Sequence, residues 1–256
     1  MGYRRTMVDI FRDLVASMTF PVTIDSQSAS GNTWTLIVCD LYHAEVGRTV
    51  TIGGNDYVIA SIDSDTNTMV VTGADPIVVT TFNLYLPFYF HGTPIATDDE
   101  LVKENEANSK TPMIWLLETF GEEREQDPLS MHDRYFTGKL FFLTQADHEK
   151  WLTDEAYIKA IEPMDRLAQT FITYIESNPG DFDLPTLKYK IDSYAKFGVY
   201  ITNKGMEKNM FADKLSGVGI SFSPLTLQKG GICDTPCTPN LPAIPDMEIE
   251  STFVIS

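Results

Sequence analysis

Three stretches of this sequence bring chemically capable side chains close together. Asp63-x-Asp65-x-Asn67 supplies the first three oxygens of a calcium loop of the EF-hand kind. Thr68 stands where that loop needs glycine and Ala74 where it needs the bidentate carboxylate, so the stretch reads as hairpin-turn chemistry. Cys233-x-x-x-Cys237 is one residue wider than a redox or zinc pair, and no second ligand pair accompanies it. Two free thiols or an incidental disulfide are the readings left. Glu122, Glu123, Glu125 and Asp127 form an acidic run. Glycoside hydrolysis needs two carboxylates about 5 to 9.5 Å apart around a sugar. A run bounded by Gly121 and Pro128 reads instead as a solvated loop, or one that meets a basic partner.

His43, His91, His132 and His148 are scattered and none belongs to an HExxH motif. His132-Asp133 and Asp147-His148-Glu149 place imidazole beside carboxylate, but neighbours along a strand point to opposite faces. Nucleophile-elbow, Walker and dinucleotide glycine motifs are missing from any strand-turn-helix context. Gly217-x-Gly219 lies within an alternating strand, where glycine serves close packing. The expectation is a protein without catalytic, metal-binding or cofactor-binding residues: an assembly component and not an enzyme.

Composition narrows the partners. The 256 residues are 43% hydrophobic and 21% charged, an ordinary globular balance. Lys and Arg number 19 against 36 Asp and Glu, a formal charge of −17, so the surface repels nucleic acid. A ring lined with carboxylates would let a polyanion slide through without sticking. No apolar run is long enough to span a bilayer, no secretory signal is legible, and three cysteines suit a reducing compartment.

These features call for an α+β fold: an antiparallel sheet with packed helices, an inserted small all-β module and an extended C-terminal arm. Met7, Ile10, Phe11, Leu14 and Val15 recur at helical spacing and predict a first helix ending before Phe20-Pro21. TWTLIVCDL, RTVTI, DYVIASI and TMVVTGA predict strands joined by hairpin turns at Gly53-Gly54-Asn55-Asp56 and Ser64-Asp65-Thr66-Asn67. They define a β module at about residues 23–80. The main domain then comprises residues 1–22 and 81–232. Within it TTFNLYLPFYF, broken by Pro87, predicts an edge strand or bulge, and Asp98 to Asn105 a short polar helix. PMIWLLETF and RYFTGKLFFLTQAD predict strands, with EEREQD an exposed loop between them. Asp154 to Ser177 predicts the main helix, capped by Thr153, stopped at Asn178-Pro179-Gly180, and kinked or split at Pro163. TLKYKI, AKFGVYI and SGVGISFSPLTL predict closing strands, and short connections predict antiparallel pairing.

Residues 233–256 form the arm. Pro236, Pro239, Pro242 and Pro245 recur every third residue, the period of polyproline II, before the strand-former STFVIS. An extended arm ending in Phe253, Val254 and Ile255 suits strand addition to another subunit, or folding back on its own domain. These seven residues are the candidate interface.

The order of elements, with the phrases TPMIWLLETF, KLFFLTQADHEKWLTDEAYIKAIEPMDRLAQTFI and DKLSGVGISFSPLTLQKGGICD, resembles neck and tail-completion proteins of tailed bacteriophages. The tail terminators are the nearest in kind. The resemblance spans roughly residues 81–234 and carries over no site residue. It implies a structural virion protein that needs no cofactor and is made in the host cytoplasm. It also implies a homo-oligomeric ring, usually a hexamer, that caps the tail tube and meets the head connector while genomic DNA passes through unbound. The β module and the proline arm depart from a minimal terminator and leave a head-tail stopper or adaptor as the alternative. A β-module protein that binds a glycan or another protein is the alternative of a different class.

Overall fold

The computed structural model describes residues 6–94, 110–126, 132–147, 153–178, 182, 187–201, 206–211 and 214–227. The proposed helix over Asp98 to Asn105 and the whole arm, with Pro236, Pro239, Pro242, Pro245, Phe253, Val254 and Ile255, lie outside them.

Helix α1 spans Met7–Ser17. Thr6 and Asp9 close a capping box at its start, the Thr6 hydroxyl accepting from the Asp9 N–H at 3.2 Å. Met7, Ile10, Phe11, Leu14 and Val15, the stripe predicted from spacing, are all buried. A first six-stranded antiparallel sheet follows, built from β1 (Pro21–Ser30), β2 (Thr33–Val38), β3 (Thr49–Ile52), β4 (Asn55–Asp63), β5 (Thr68–Thr72) and β6 (Thr81–Asn83). Its order is β3-β4-β5-β2-β1-β6. Both predicted hairpins are present. Gly53 and Gly54 turn at φ 63° and 89°, the positive pair a two-residue hairpin demands. At the other turn the Asp63 carboxylate accepts from the N–H groups of Asp65 and Thr66, so the EF-hand-like spacing does turn work.

The aromatic run before residue 93 is two strands, not one. Thr81–Asn83 closes the first sheet as β6, and β7 (Phe88–Gly92) opens a second. Pro87, which cannot donate to a ladder, lies in the crossing between them. The second sheet adds β8 (Met113–Leu117), β9 (Gly121–Gln126), β10 (His132–Gln145), β11 (Tyr189–Phe197) and β14 (Leu215–Leu227), in the order β11-β14-β10-β8-β7 with β9 also on β10. A separate two-stranded hairpin joins β12 (Val199–Ile201) to β13 (Glu207–Asn209).

Two expectations are corrected here. The EEREQ stretch is strand β9, because its backbone pairs with β10 from Gly121↔Thr137 to Gln126↔His132 whatever its side chains carry. And β7 pairs parallel to β8, since the connection over residues 93–112 is long enough for a crossover.

Between β10 and β14 lie α2 (Thr153–Ala156), a π-helical turn (Tyr157–Ile161) and α3 (Glu162–Glu176). Pro163 sits in the first turn of α3, where its missing N–H is harmless, so the helix is divided ahead of it as its position predicts. The α3 stripe of Met164, Leu167, Ala168, Phe171 and Ile175 is buried. One apolar core runs through both sheets and helices, with Phe11 within 6.4 Å of Phe136, Phe171, Phe182 and Phe222. A second cluster of Met113, Trp115, Phe141, Leu143, Phe211 and Leu215 covers the other face of the second sheet. The chain is therefore α+β with strand predominating, and its β10-β14 ladder is buried on both sides from Leu140 to Thr144.

Candidate functional site

Among the described residues, those singled out from sequence are not brought together as one site. Glu122, Glu123 and Glu125 lie along β9, while Asp127 falls outside the described residues. His91 lies on β7 with its ring 5.9 Å from Phe120, His132 begins β10, and His148 is not described. Cys39 is an exposed free thiol; Cys233 and Cys237 are not described. Among the described residues, no three His, Cys, Asp or Glu side chains gather as a metal site would require. No described helix is long and apolar enough to cross a membrane.

His43 is wholly buried. Its Nε2 lies 2.8 Å from the Tyr85 carbonyl, which can only accept, so that nitrogen carries the proton. Burial pushes the imidazole pKa down to about 4, and the ring stays neutral with edge-on contacts to Phe20 and Tyr85. Tyr85 ties down the β2–β3 connection that holds His43. Its hydroxyl accepts from the Glu45 N–H at 3.0 Å and donates to the His43 carbonyl at 3.2 Å.

That connection forms one wall of a cavity of about 930 Å³ between the two sheets. From this side come Glu45 and Arg48, with Ile62 of β4. Thr144 and Asp147, at the end of β10, and Lys214, just before β14, face them. Lys159 of the π-turn and Arg166 of α3 also line the cavity. Arg166 is paired with Glu162, and Lys159 with Glu155 at 3.4 Å. Burial raises the Glu45 carboxyl to about 7 against the opposing pull of Thr144, which hydrogen-bonds it, and of the Arg48 charge. The Arg48 guanidinium sits 4.7 Å over the Tyr85 ring.

No protein-family model, curated protein or solved structure matches this chain. The cavity is thus read from its own residues. Among the described residues, Arg48, Lys159, Arg166 and Lys214 meet here with Glu45 and Asp147 in the lining, Lys159 and Arg166 each held by a glutamate of its own helical segment. Sequence reasoning missed it because Arg48 and Lys214 come together only through the packing of the two sheets. The seven-residue spacing of Lys159 and Arg166, two helical turns, was the one local hint that basic groups share a face.

Proposed function

We propose that this chain is a structural subunit of a tailed-phage neck, forming a ring that terminates the tail tube and joins it to the head connector. A head-tail stopper or adaptor is the same reading one ring along. The observation that supports it best is the β12–β13 hairpin. It stands as its own two-stranded sheet and leaves Tyr200, Met206 and Met210 about half exposed, at 48%, 56% and 51%. At its base Phe211 is buried against Trp115 and Phe197, so the hairpin is rooted in the core while Tyr200, Met206 and Met210 are exposed beside Lys208 and Asn209. Tyrosine and methionine are enriched where subunits meet. The hairpin then reaches a neighbouring copy, the arm of residues 233–256 reaches an adjoining ring, and the −17 charge lets DNA pass without sticking.

Size-exclusion chromatography with light scattering and negative-stain imaging of the full chain tests this. Closed rings at micromolar concentration are the expected result. A monomer at every concentration overturns it, and glycan binding by that monomer would favour the β-module alternative.

A further inference from the structure

We propose that the cavity between the two sheets binds a small anionic molecule carrying a carboxylate together with a hydroxyl or amino group. Oε1 of Glu45 and Nη1 of Arg48 are both buried, both belong to residues of the cavity wall, and neither makes a hydrogen bond within the protein. The two residues are held in one turn, the Arg48 N–H donating to the Glu45 carbonyl at 3.3 Å, yet their side chains do not pair with each other. Each is held apart by another partner. Thr144 occupies one part of the Glu45 carboxyl, and the Tyr85 ring holds the Arg48 guanidinium.

Two residues of the same cavity wall therefore each carry a buried polar atom without a hydrogen-bond partner. An unsatisfied buried polar atom costs about 1–3 kcal/mol, more when charged, so a ligand that meets both gains what folding left unmet. Arg48 calls for an acceptor, best a carboxylate. Glu45 calls for a donor, a hydroxyl or an ammonium. Lys159 and Arg166 line the same space with Glu155 and Glu162 as their own partners, and Val46 and Ile158, both exposed and both lining it, give the rim an apolar character. The volume lies within the range of about 300–1,000 Å³ common for small-molecule sites. The ring reading does not depend on this site, nor this site on the ring.

Calorimetric titration of the full chain with L-malate and with succinate tests the proposal, because the two acids differ by one hydroxyl. Malate should bind saturably and about tenfold tighter than succinate, as a hydrogen bond of about 1.4 kcal/mol to Glu45 predicts. Arg48→Met should weaken both acids at least tenfold, and Glu45→Leu should abolish the preference for malate while sparing succinate. Arg166→Gln, at a side chain 27% exposed and paired with Glu162 one helical turn away, should weaken both without loss of fold. No saturable heat from either acid, equal affinities for the two, or a malate preference that survives Glu45→Leu each overturns the site. If either wall variant fails to fold, the malate-succinate difference on the unaltered protein and the Arg166→Gln result decide.

Discussion

At Gly217 the backbones of β10 and β14 approach so closely that an added Cβ would lie 1.9 Å from the Phe142 carbonyl oxygen and 3.0 Å from the Leu143 Cα. Both are main-chain atoms of a fully paired strand and cannot move aside. Gly217→Ala should therefore cost at least about 3 kcal/mol in denaturant unfolding, at the upper end for overpacking. Gly121→Ala, whose Cβ would meet only one carbonyl oxygen at 3.9 Å, should be close to neutral. The close-packing role of the Gly217-x-Gly219 pair was legible in sequence because glycine inside an alternating strand has few other uses. The burial of the His43 ring and the Glu45 carboxyl was not, since nothing local shows that two side chains of a connecting loop will be buried. Their titrations oppose. The pKa of Glu45 is raised from 4.5 to about 7, so the folded state holds a proton the unfolded state has lost, and stability falls as pH rises through that window. That of His43 is lowered from 6.5 to about 4, so the unfolded state binds the extra proton and stability rises with pH across its window. Between about pH 4.5 and 6.5 the two slopes cancel. Glu45→Gln, which keeps an oxygen for Thr144, should unmask the His43 slope: stability in urea should rise with pH by up to about 1.4 kcal/mol per unit more than in the unaltered protein. An unchanged slope would mean that Glu45 titrates as an ordinary surface carboxylate.

Helix α1 shows how a single residue anchors an element. Eleven residues are too few to hold a helix in water, so α1 depends on what its stripe is buried against. Phe11 meets Phe136 and Phe222 of the second sheet and Phe171 of α3, at ring distances of 5.5, 6.3 and 5.6 Å. Phe11→Ala should lower unfolding free energy by about 3–5 kcal/mol, measured with urea, because the surrounding rings belong to other elements and cannot collapse inward. Periodicity revealed α1 and α3 because each keeps one apolar face. It failed for β1 and β9. After Ile24 every residue of β1 is exposed, and the strand is fixed by its pairing with β2 and by the Gln27 amide donating to the Ile77 carbonyl at 3.0 Å. In β9 the side chains are mostly charged and only the backbone ladder to β10 declares the strand. Alternation reports burial, and a strand held only by its ladder gives no such signal.

Both sheets and the helices share one continuous core, so the first sheet, running from Pro21 to Asn83, is packed onto the rest of the chain and not tethered beside it. Sequence marks the hairpins of the first sheet but neither its strand β1 nor its closing strand β6, and not how the sheets pack, and the cavity is lined from both sheets. Tyr200, Met206 and Met210 of the β12–β13 hairpin lie outside the core, which sets the physics of assembly. Each copy carries a formal charge of −17, so bringing copies together raises a repulsion that acts over about 30 Å at 0.01 M salt and about 10 Å at 0.1 M. Contacts made by Tyr200, Met206 and Met210 are short-ranged and are not weakened by that screening. In the proposed ring, raising sodium chloride from about 0.01 M to 0.1 M should therefore shift the light-scattering mass upward. The triple change Tyr200→Ser, Met206→Ser and Met210→Ser should hold it at the monomer with little change in the unfolding midpoint, because those side chains are half exposed in the single chain. A mass that falls as salt rises would mean that opposite charges hold the copies together, and the hairpin would lose its part in the ring.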